Sequence, residues 1–384
     1  MEAPQSSSPP TELGMLRVLA STAGVRVSPL VLGGMSFGQA WGGVLGKTDK
    51  SAVYQLLDAF VEAGGNFIDT ANDYQNGTSE TWVGSWMAER GNRDQIVLAT
   101  KYTQDYRHFE LPPGRSANFG GNHRRSLHTS VRDSLVKLQT DYIDVLYLHH
   151  WDYMTSIEEV MDSLHILVEQ GKVLYLGVSD TPAWVVSAAN TYARTHGKTP
   201  FSVYQGRWNV VLRDFEREII PMARNFGMAL VPFGVLGGGK FQTERAVEER
   251  EKSDDPVRRA GAPGDVSQET YRKASEALAK VASEQGIESL TAIALAYVIE
   301  KAVRSGVHNV FPLMGGRKVE QLQDNIQGLS IKLTHEQMNY LEGIHEFDLG
   351  FPSNFIGQDP NVTGFAWSVT KSGNHMAFPQ AKMI

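Results

Sequence analysis

Four polar side chains follow or close short apolar runs of the sequence and could together move a proton: Asp69, Tyr74, Lys101 and His149. Asp69 and Tyr74 lie five positions apart, Lys101 closes the next apolar run, and His149 closes the run after that. If these runs are parallel strands of one barrel, their carboxyl ends share one rim. A phenol titrates near about 10, and a neighbouring ammonium would lower the pKa of Tyr74 towards a useful range.

The chemistry that this set could perform is proton donation to an oxygen that gains negative charge. Asp69 can supply the counter-charge that a buried Lys101 needs, and a His149 N–H could hold the reacting oxygen. Each residue alone also has a structural explanation, such as a helix cap, a packed ring, a solvated ammonium or a rim histidine. Strand position by itself leaves these explanations open.

Eight short apolar, β-branched runs alternate with longer helical patterns from residue 27 onward. Their continuous apolar character is typical of parallel strands covered by helices on the outer face. The runs occupy 30–34, 66–69, 96–101, 143–149, 173–178, 202–205, 228–232 and 309–313. The helical patterns occupy 50–63, 78–89, 124–138, 156–169, a segment opening at Thr181-Pro182, 216–225, 268–285, 289–301 and 318–327.

This alternation predicts the α/β class and a closed (β/α)8 TIM barrel. The competing open dinucleotide-binding sheet needs a G-x-G-x-x-G turn, which the sequence does not contain. We expect the barrel to span 15–345, after a disordered tail at 1–14. Segment 234–268 reads as a long mobile loop, and an irregular tail at 346–384 is expected to pack near the active-site mouth.

Composition narrows the possible functions. The 384 residues carry 36 basic and 43 acidic side chains, a net charge of −7, which argues against binding nucleic acid. The absence of cysteine excludes thiol nucleophiles and disulfides and suits a reducing compartment. Neither a signal peptide nor an apolar span of about 20 residues is visible, so we expect a cytoplasmic protein without a membrane partner.

Metal and hydrolase chemistry are not predicted. His149 and His150 would point to opposite faces of a strand and could not chelate one ion together. The sequence contains no H-E-x-x-H motif.

The four motifs, in this order and at these strand ends, resemble the aldo-keto reductase family. The resemblance runs from Leu32-Gly-Gly-Met35 to Gly315-Gly-Arg317, and segments 150–165 and 177–184 are most similar to the fungal branch of aryl-alcohol dehydrogenases and norsolorinic acid reductases. The resemblance implies an oxidoreductase in which Tyr74 is the general acid, Lys101 tunes it, Asp69 pairs with Lys101, and His149 orients the carbonyl.

His149 is preferred over His150 because the family's histidine follows the aspartate that opens the strand, here Asp144, by five positions. The second histidine departs from the family's Leu-His-Trp pattern, and we expect it to be an exposed loop residue.

The resemblance also implies a nicotinamide cofactor across the barrel mouth. Ser179, Asp180 and Gln205 would hold the carboxamide, and Phe233 would stack on the ring. Asp180 stands where Asn is common and Phe233 where Tyr is common, yet a carboxylate still accepts from an amide and Phe keeps the stacking face. The other expected cofactor residues are Gly34, Met35, Asp69, Gly234, Leu236, Gly238, Lys240, Gly315, Arg317, Gln321 and Asn325.

Segment 311–325 resembles the family's adenosine 2′-phosphate site. Gly315-Gly316 would allow close backbone approach, the helix that begins near Lys318 attracts phosphate, and Arg317 offers a fork of donors. The sequence therefore predicts NADP(H) rather than NAD(H).

The substrate is expected to be a small-molecule carbonyl or alcohol, of aryl or polyketide type from fungal secondary metabolism. The residues expected at the pocket are Trp41, Tyr102, His149 and Trp151, with Phe351 and Phe355 of the tail nearby. The alternative is an NADPH-binding sensor subunit with negligible turnover.

Overall fold

Eight short parallel strands alternate with helices and curl into a barrel. In the computed structural model, the residues described are 8–242 and 264–357, together with 359 and 362. An antiparallel hairpin, β1 and β2, precedes the barrel, whose strands we number β3 to β10. The ten strands are β1 (Arg17–Ala20), β2 (Ala23–Val27), β3 (Val31–Gly33), β4 (Phe67–Asp69), β5 (Val97–Tyr102), β6 (Ile143–Leu148), β7 (Val173–Ser179), β8 (Phe201–Arg207), β9 (Ala229–Phe233) and β10 (Leu313–Gly315).

The strands pair in sequence order, with β10 returning to lie beside β3. Between β9 and β10 the barrel closes through a single parallel bridge, Leu230 to Val310. Backbone bonds from Phe311 N to Leu230 O (2.8 Å) and from Leu230 N to Asn309 O (2.9 Å) hold this seam. The fold is therefore a (β/α)8 barrel, as predicted.

The position of the last strand differs from the prediction. We expected it at 309–313, but β10 covers Leu313–Gly315, and the apolar residues before it make the bridge to β9 instead. Burial explains the error, because Val310 and Phe311 are as fully buried as strand residues.

Helices follow the barrel strands, and several of them begin at a side chain that caps the first turn. Asp49 accepts from Ala52 N at 2.8 Å and Ser156 from Glu159 N at 3.1 Å. The helices are α1 (Gly42–Leu45), α2 (Lys50–Glu62), α3 (Thr78–Arg90), α4 (Arg124–Leu138), α5 (Ile157–Glu169), α6 (Ala183–Thr195), α7 (Ile219–Phe226), α8 (Gln268–Glu284), α9 (Leu290–Arg304), α10 (Val319–Gln327), α11 (His335–Glu342) and α12 (Ser353–Ile356).

Strand residues alternate between two apolar cores. Outward side chains such as Leu98 and Leu146 pack against the helices. Inward side chains such as Val97, Ala99 and Val145 fill the barrel itself. Because successive strand residues face opposite sides, this alternation also decides which residues near the upper strand ends enter the site.

The sequence did not predict the hairpin of β1 and β2. Its Leu19, Ala20, Ala23 and Val27 are buried in the same inner cluster as Val97 and Val145. The hairpin therefore closes the lower end of the barrel, opposite the strand ends that carry the predicted site.

The predicted disordered tail at 1–14 is wrong for its last residues. A short 3-10 helix, Glu12–Gly14, is capped by Thr11, whose hydroxyl also donates to Ala63 O at 2.7 Å. Leu13 is fully buried. Residues 1–7 lie outside the described part of the chain.

The described part of the C-terminal tail runs along α7. Arg213 and Arg217 lie over the ring of Phe347, and Arg224 forms an ion pair with Asp359. Phe351 and Phe355 are 81% and 68% exposed, so these two rings do not pack closely against the body. Phe365, Trp367 and Phe378 lie outside the described residues, as does 243–263 of the predicted loop. Packing of the tail near the mouth stays a prediction.

No helix among the described residues is both long enough and apolar enough to cross a membrane.

Candidate active site

The period of two along the strands brings polar side chains to the upper layer of the barrel. On β5, Val97 and Ala99 face inward, so Lys101 does too; on β4, Asp69 follows the inward Phe67. The next inward position after Val145 and Tyr147 of β6 is His149. Residues from three neighbouring strands therefore converge at one end of the barrel.

Asp69 and Lys101 form an ion pair closed off from water. Their side chains are 2% and 0% exposed. Lys101 Nζ also donates to Thr70 O at 2.9 Å, and Asp69 Oδ2 accepts from Gln205 Nε2 at 3.0 Å. The protein thus supplies further hydrogen-bonding partners to both charges. A buried ion pair requires such partners to offset the loss of hydration.

Tyr74 lies beside this ion pair. It begins a short 3-10 helix, Tyr74–Gly77, directly after the β4 loop. Lys101 Nζ is 4.9 Å from the centre of its ring, and the rings of His149 and Trp41 are 5.8 and 6.1 Å away in edge-on contacts. The four residues predicted to act together are therefore neighbours in space.

His149 is largely buried, with 14% of its side chain exposed, and it is uncharged. Burial, the charge of Lys101 and the nearby His150 all lower its pKa well below the ordinary value. Its Nδ1 atom lies 4.0 Å from Oδ1 of Asp73, the residue before Tyr74. Burial raises the pKa of the Asp73 carboxyl to about 6.

His150 differs from the expectation of an exposed loop residue. It is half-buried beside His149, with 6.1 Å between the ring centres, and burial lowers its pKa.

The loop after β3 is fixed over Tyr74 by the side chain of Gln75. This amide is fully buried, donates to Met35 O at 2.9 Å and accepts from Trp41 N at 2.9 Å. Trp41 Nε1 donates to Asn76 Oδ1 at 3.1 Å. Gln75 and Asn76 adopt left-handed backbone conformations, with φ of 54° and 57°, so the turn itself is under strain.

The residues expected at the nicotinamide lie at the upper ends of β7, β8 and β9. Ser179 and Gln205 are buried and aligned in register across β7 and β8. Asp180 adopts φ +41°, and burial raises its pKa to about 6. Asp180 and Phe233 both line a cavity of about 380 Å³, together with Tyr204, Arg207 and side chains from 214–219.

The residues expected at the adenosine phosphate lie on the other side of the seam. Arg317 N donates to Gln321 Oε1 at 3.0 Å, so the first turn of α10 is already organised. The Gly315 side of this turn is open, because a Cβ there would meet nothing within 4 Å. A Cβ on Gly46, where φ is +77°, would overlap Nη1 of Arg317. The guanidinium therefore lies directly against the loop after β3.

The remaining expected cofactor residues fall into two groups. Gly34 donates its backbone N–H to Asp69 O at 2.7 Å, which holds β3 against the ion-pair loop. Gly234 and Gly238 after β9 have φ of +69° and +63°, with Leu236 between them. Lys240 is already held in an ion pair with Asp265, and Asn325 is buried.

One expected pocket residue is misplaced by the prediction. Tyr102 follows Lys101, so it faces outward; it is fully buried in the outer core and donates to Asn122 O at 3.3 Å. Tyr102 does not line the mouth. Trp151 packs, half-buried, against the same outer core. Trp41 and His149 do lie beside Tyr74.

Comparisons with known proteins agree with this geometry. The model of the aldo/keto reductase family matches residues 29–346. This chain belongs to the aldo/keto reductase family. It is an oxidoreductase of carbonyl and alcohol groups, and the family works with a nicotinamide cofactor.

Three similar relatives of this aldo-keto reductase are fungal proteins. A putative aryl-alcohol dehydrogenase of Saccharomyces cerevisiae is 64% identical over 96% of this chain and 97% of its own length. An aldo-keto reductase of Aspergillus calidoustus is 56% identical over 97% of this chain and 92% of its own length. Norsolorinic acid reductase of Aspergillus flavus is 51% identical over 94% of this chain and 88% of its own length. The predicted fungal branch is thereby confirmed, and the sensor alternative gains no support.

Two residues near the site of this aldo-keto reductase were missed by sequence reasoning. Gln75 fixes the loop that carries Trp41, and Asp73 faces the histidine. Neither closes a strand, which was the signal used to choose candidates. In the described part of the chain, His, Asp and Glu side chains form no group of three that could hold a metal ion.

Proposed function

We propose that this aldo-keto reductase reversibly transfers hydride between NADPH and aryl or polyketide-type carbonyl compounds, with Tyr74 as the general acid. The observation that carries the proposal is the water-excluded ion pair of Lys101 and Asp69 placed 4.9 Å from the Tyr74 ring. A fixed cation beside a phenol stabilises the phenolate that remains once the proton has left.

The residues present fit a dinucleotide that reaches across the mouth. Phe233 offers an aromatic face beside a cavity of about 380 Å³, and Asp180 and Gln205 offer groups for a carboxamide. At the other end, the open Gly315 turn and the start of α10 suit phosphate. When bound, the cofactor supplies or accepts the hydride.

Each residue of the site then has a defined part in the proton transfer. Tyr74 gives its hydroxyl proton to the substrate oxygen as that oxygen gains charge. Lys101 stabilises the resulting phenolate, and Asp69 holds Lys101 in place. His149, which is neutral, donates a hydrogen bond that orients the carbonyl. In alcohol oxidation the same groups act in reverse.

The substrate class rests on relatives and on the aromatic wall of the site. The relatives include proteins named aryl-alcohol dehydrogenase and norsolorinic acid reductase. In this chain Trp41 lies edge-on to Tyr74, where a planar aromatic substrate could stack. Aromatic aldehydes are therefore the first compounds to test.

The direct test is the loss of NADPH absorbance on mixing the protein with a panel of substituted benzaldehydes. Turnover with several members is the expected result. NADPH binding in a fluorescence titration without turnover on any carbonyl would indicate a sensor and contradict the proposal.

We predict that Arg317→Ala weakens NADPH binding by about 10- to 100-fold, the worth of a charge-assisted hydrogen bond to phosphate, and changes NADH binding by less than about threefold. Dissociation constants from fluorescence titration of both cofactors check this. Lys318→Ala, which removes the adjacent exposed cation, is the matched control and should affect the two cofactors alike. Equal losses of NADPH and NADH affinity in Arg317→Ala would remove its role at the 2′-phosphate.

A further inference from the structure

Two buried polar atoms beside the active site face one another without making a hydrogen bond. Asp73 Oδ1 and His149 Nδ1 are 4.0 Å apart, both side chains are 14% exposed, and neither atom has a hydrogen-bond partner among the described residues. Such atoms are rare in folded proteins because leaving them unpaired is costly. Their mutual orientation therefore indicates an interaction between them.

The other charged groups that face Asp73 in the described part of the chain are already paired. The charged groups that face it are Lys101 from β5, Glu80 from α3 and Lys137 from α4, and His149 follows β6. Lys101 is held by Asp69 and Thr70 O, as described above. Lys137 pairs with Glu80 at 2.5 Å and donates to Asn72 O at 2.9 Å.

A water molecule does not fit between the two atoms. Two hydrogen bonds of about 2.8 Å at a tetrahedral oxygen would hold their ends about 4.5 Å apart, which exceeds the observed 4.0 Å. A direct hydrogen bond of about 2.8 Å requires the two atoms to come only about 1.2 Å closer than the observed 4.0 Å.

The neutral imidazole makes this contact decisive, since it carries one ring proton that can reside on either nitrogen. The group that faces Nδ1 determines which of the two nitrogens carries the proton. A carboxylic acid donates to Nδ1 and leaves the proton on Nε2, whereas a carboxylate accepts from Nδ1–H and leaves Nε2 with a lone pair.

We propose that Asp73 is a positioning residue that selects the tautomer of His149, and thereby decides whether Nε2 of the histidine donates a hydrogen bond to the substrate oxygen. The use of the two tautomers rests on the proposed function; the tautomer selection itself does not. Throughout, the imidazole keeps one proton, and the proton that Asp73 loses goes to solvent.

The direction of the pH effect follows from the carboxyl. Its pKa is raised to about 6 by burial. Below that pH, Asp73 is protonated, Nε2 carries the ring proton, and carbonyl reduction is favoured. Above it, Asp73 is ionised, Nδ1 carries the proton, and Nε2 no longer donates to the substrate oxygen, so reduction slows.

The decisive experiment reads the tautomer without any turnover. Protein labelled with ¹⁵N-histidine is titrated from pH 5 to pH 8 by NMR, and the His149 signals are assigned from their absence in His149→Gln. We expect the proton to move from Nε2 to Nδ1 with a midpoint near pH 6, and no such movement in Asp73→Asn, whose amide binds no additional proton. A tautomer constant over this range, or a midpoint that survives in Asp73→Asn, overturns the proposal.

Kinetics provide the second readout. With saturating NADPH, kcat/KM for reduction should fall about tenfold across the transition in the unaltered protein and stay level in Asp73→Asn. Asp180→Asn is the matched control, because the pKa of Asp180 is also about 6. The transition must persist in Asp180→Asn; its loss there would assign the pH effect to Asp180 instead. A protein that shows the NMR transition but no turnover would refute the proposed function and keep the tautomer selection.

Discussion

Tyr74→Phe is expected to lower kcat for carbonyl reduction by about 10²- to 10⁴-fold, the usual contribution of a positioned general acid. The variant keeps the ring that Trp41 and His149 contact edge-on, so the wall of the site should be preserved. Because no cofactor contact is assigned to the hydroxyl, NADPH affinity should stay within about twofold. Single-turnover measurement of NADPH oxidation, together with a binding titration, checks both parts.

A second phenol near the same ammonium provides the control. Tyr147 on β6 lies with its ring centre 5.7 Å from Lys101 Nζ, but it is fully buried in the inner core below the site. Burial raises the pKa of its hydroxyl well above the ordinary value, so it is a poor acid. Tyr147→Phe should leave kcat within a few-fold. Full activity in Tyr74→Phe with loss in Tyr147→Phe would reverse the assignment of the acid.

Lys101→Met is expected to destabilise the protein by about 3–5 kcal/mol as well as abolish efficient turnover. The methionine removes the partner of a carboxylate that is 2% exposed, and an unpaired buried charge is strongly unfavourable. Urea unfolding, analysed by linear extrapolation, measures the loss.

A double substitution separates stability from chemistry. Adding Asp69→Asn to Lys101→Met removes the unpaired charge and should restore much of the stability, since the two residues act as one unit. Activity should stay low, because nothing then stabilises the phenolate. Arg272→Met, whose pairs with Glu269 and Glu276 are on the surface, should scarcely move the unfolding midpoint. A double variant that regains turnover would show that Lys101 is needed only for folding.

Much of the barrel was predictable because burial on both faces leaves a clear mark on the sequence. Seven of the eight barrel strands lie where the apolar runs predict them. The eighth, β10, was displaced because Val310 and Phe311 are buried by bridging to β9 rather than by belonging to the last strand. The hairpin of β1 and β2 was missed because it has few apolar residues. These residues become buried only when the barrel has formed and the hairpin packs against its lower end.

The site was predictable to the extent that strand ends determine it. Asp69, Lys101 and His149 are brought together by parallel pairing and the period of two, which are properties of the sequence. The same rule should have excluded Tyr102, because it follows the inward Lys101 and must face the helices. Asp73 could not have been selected, since its significance comes from His149, which lies 76 positions later and meets it only in the folded chain.

The seam between β9 and β10 has a consequence for how cofactor binding affects the stability of the barrel. Among the described residues, one isolated parallel bridge at Leu230 joins the two sides of this seam. The aromatic ring of Phe233 lies on one side of it and the guanidinium of Arg317 on the other. A dinucleotide that contacts both Phe233 and Arg317 would connect the two sides of the seam. Cofactor binding would then stabilise the barrel along this seam, so that resistance to unfolding rises with cofactor occupancy.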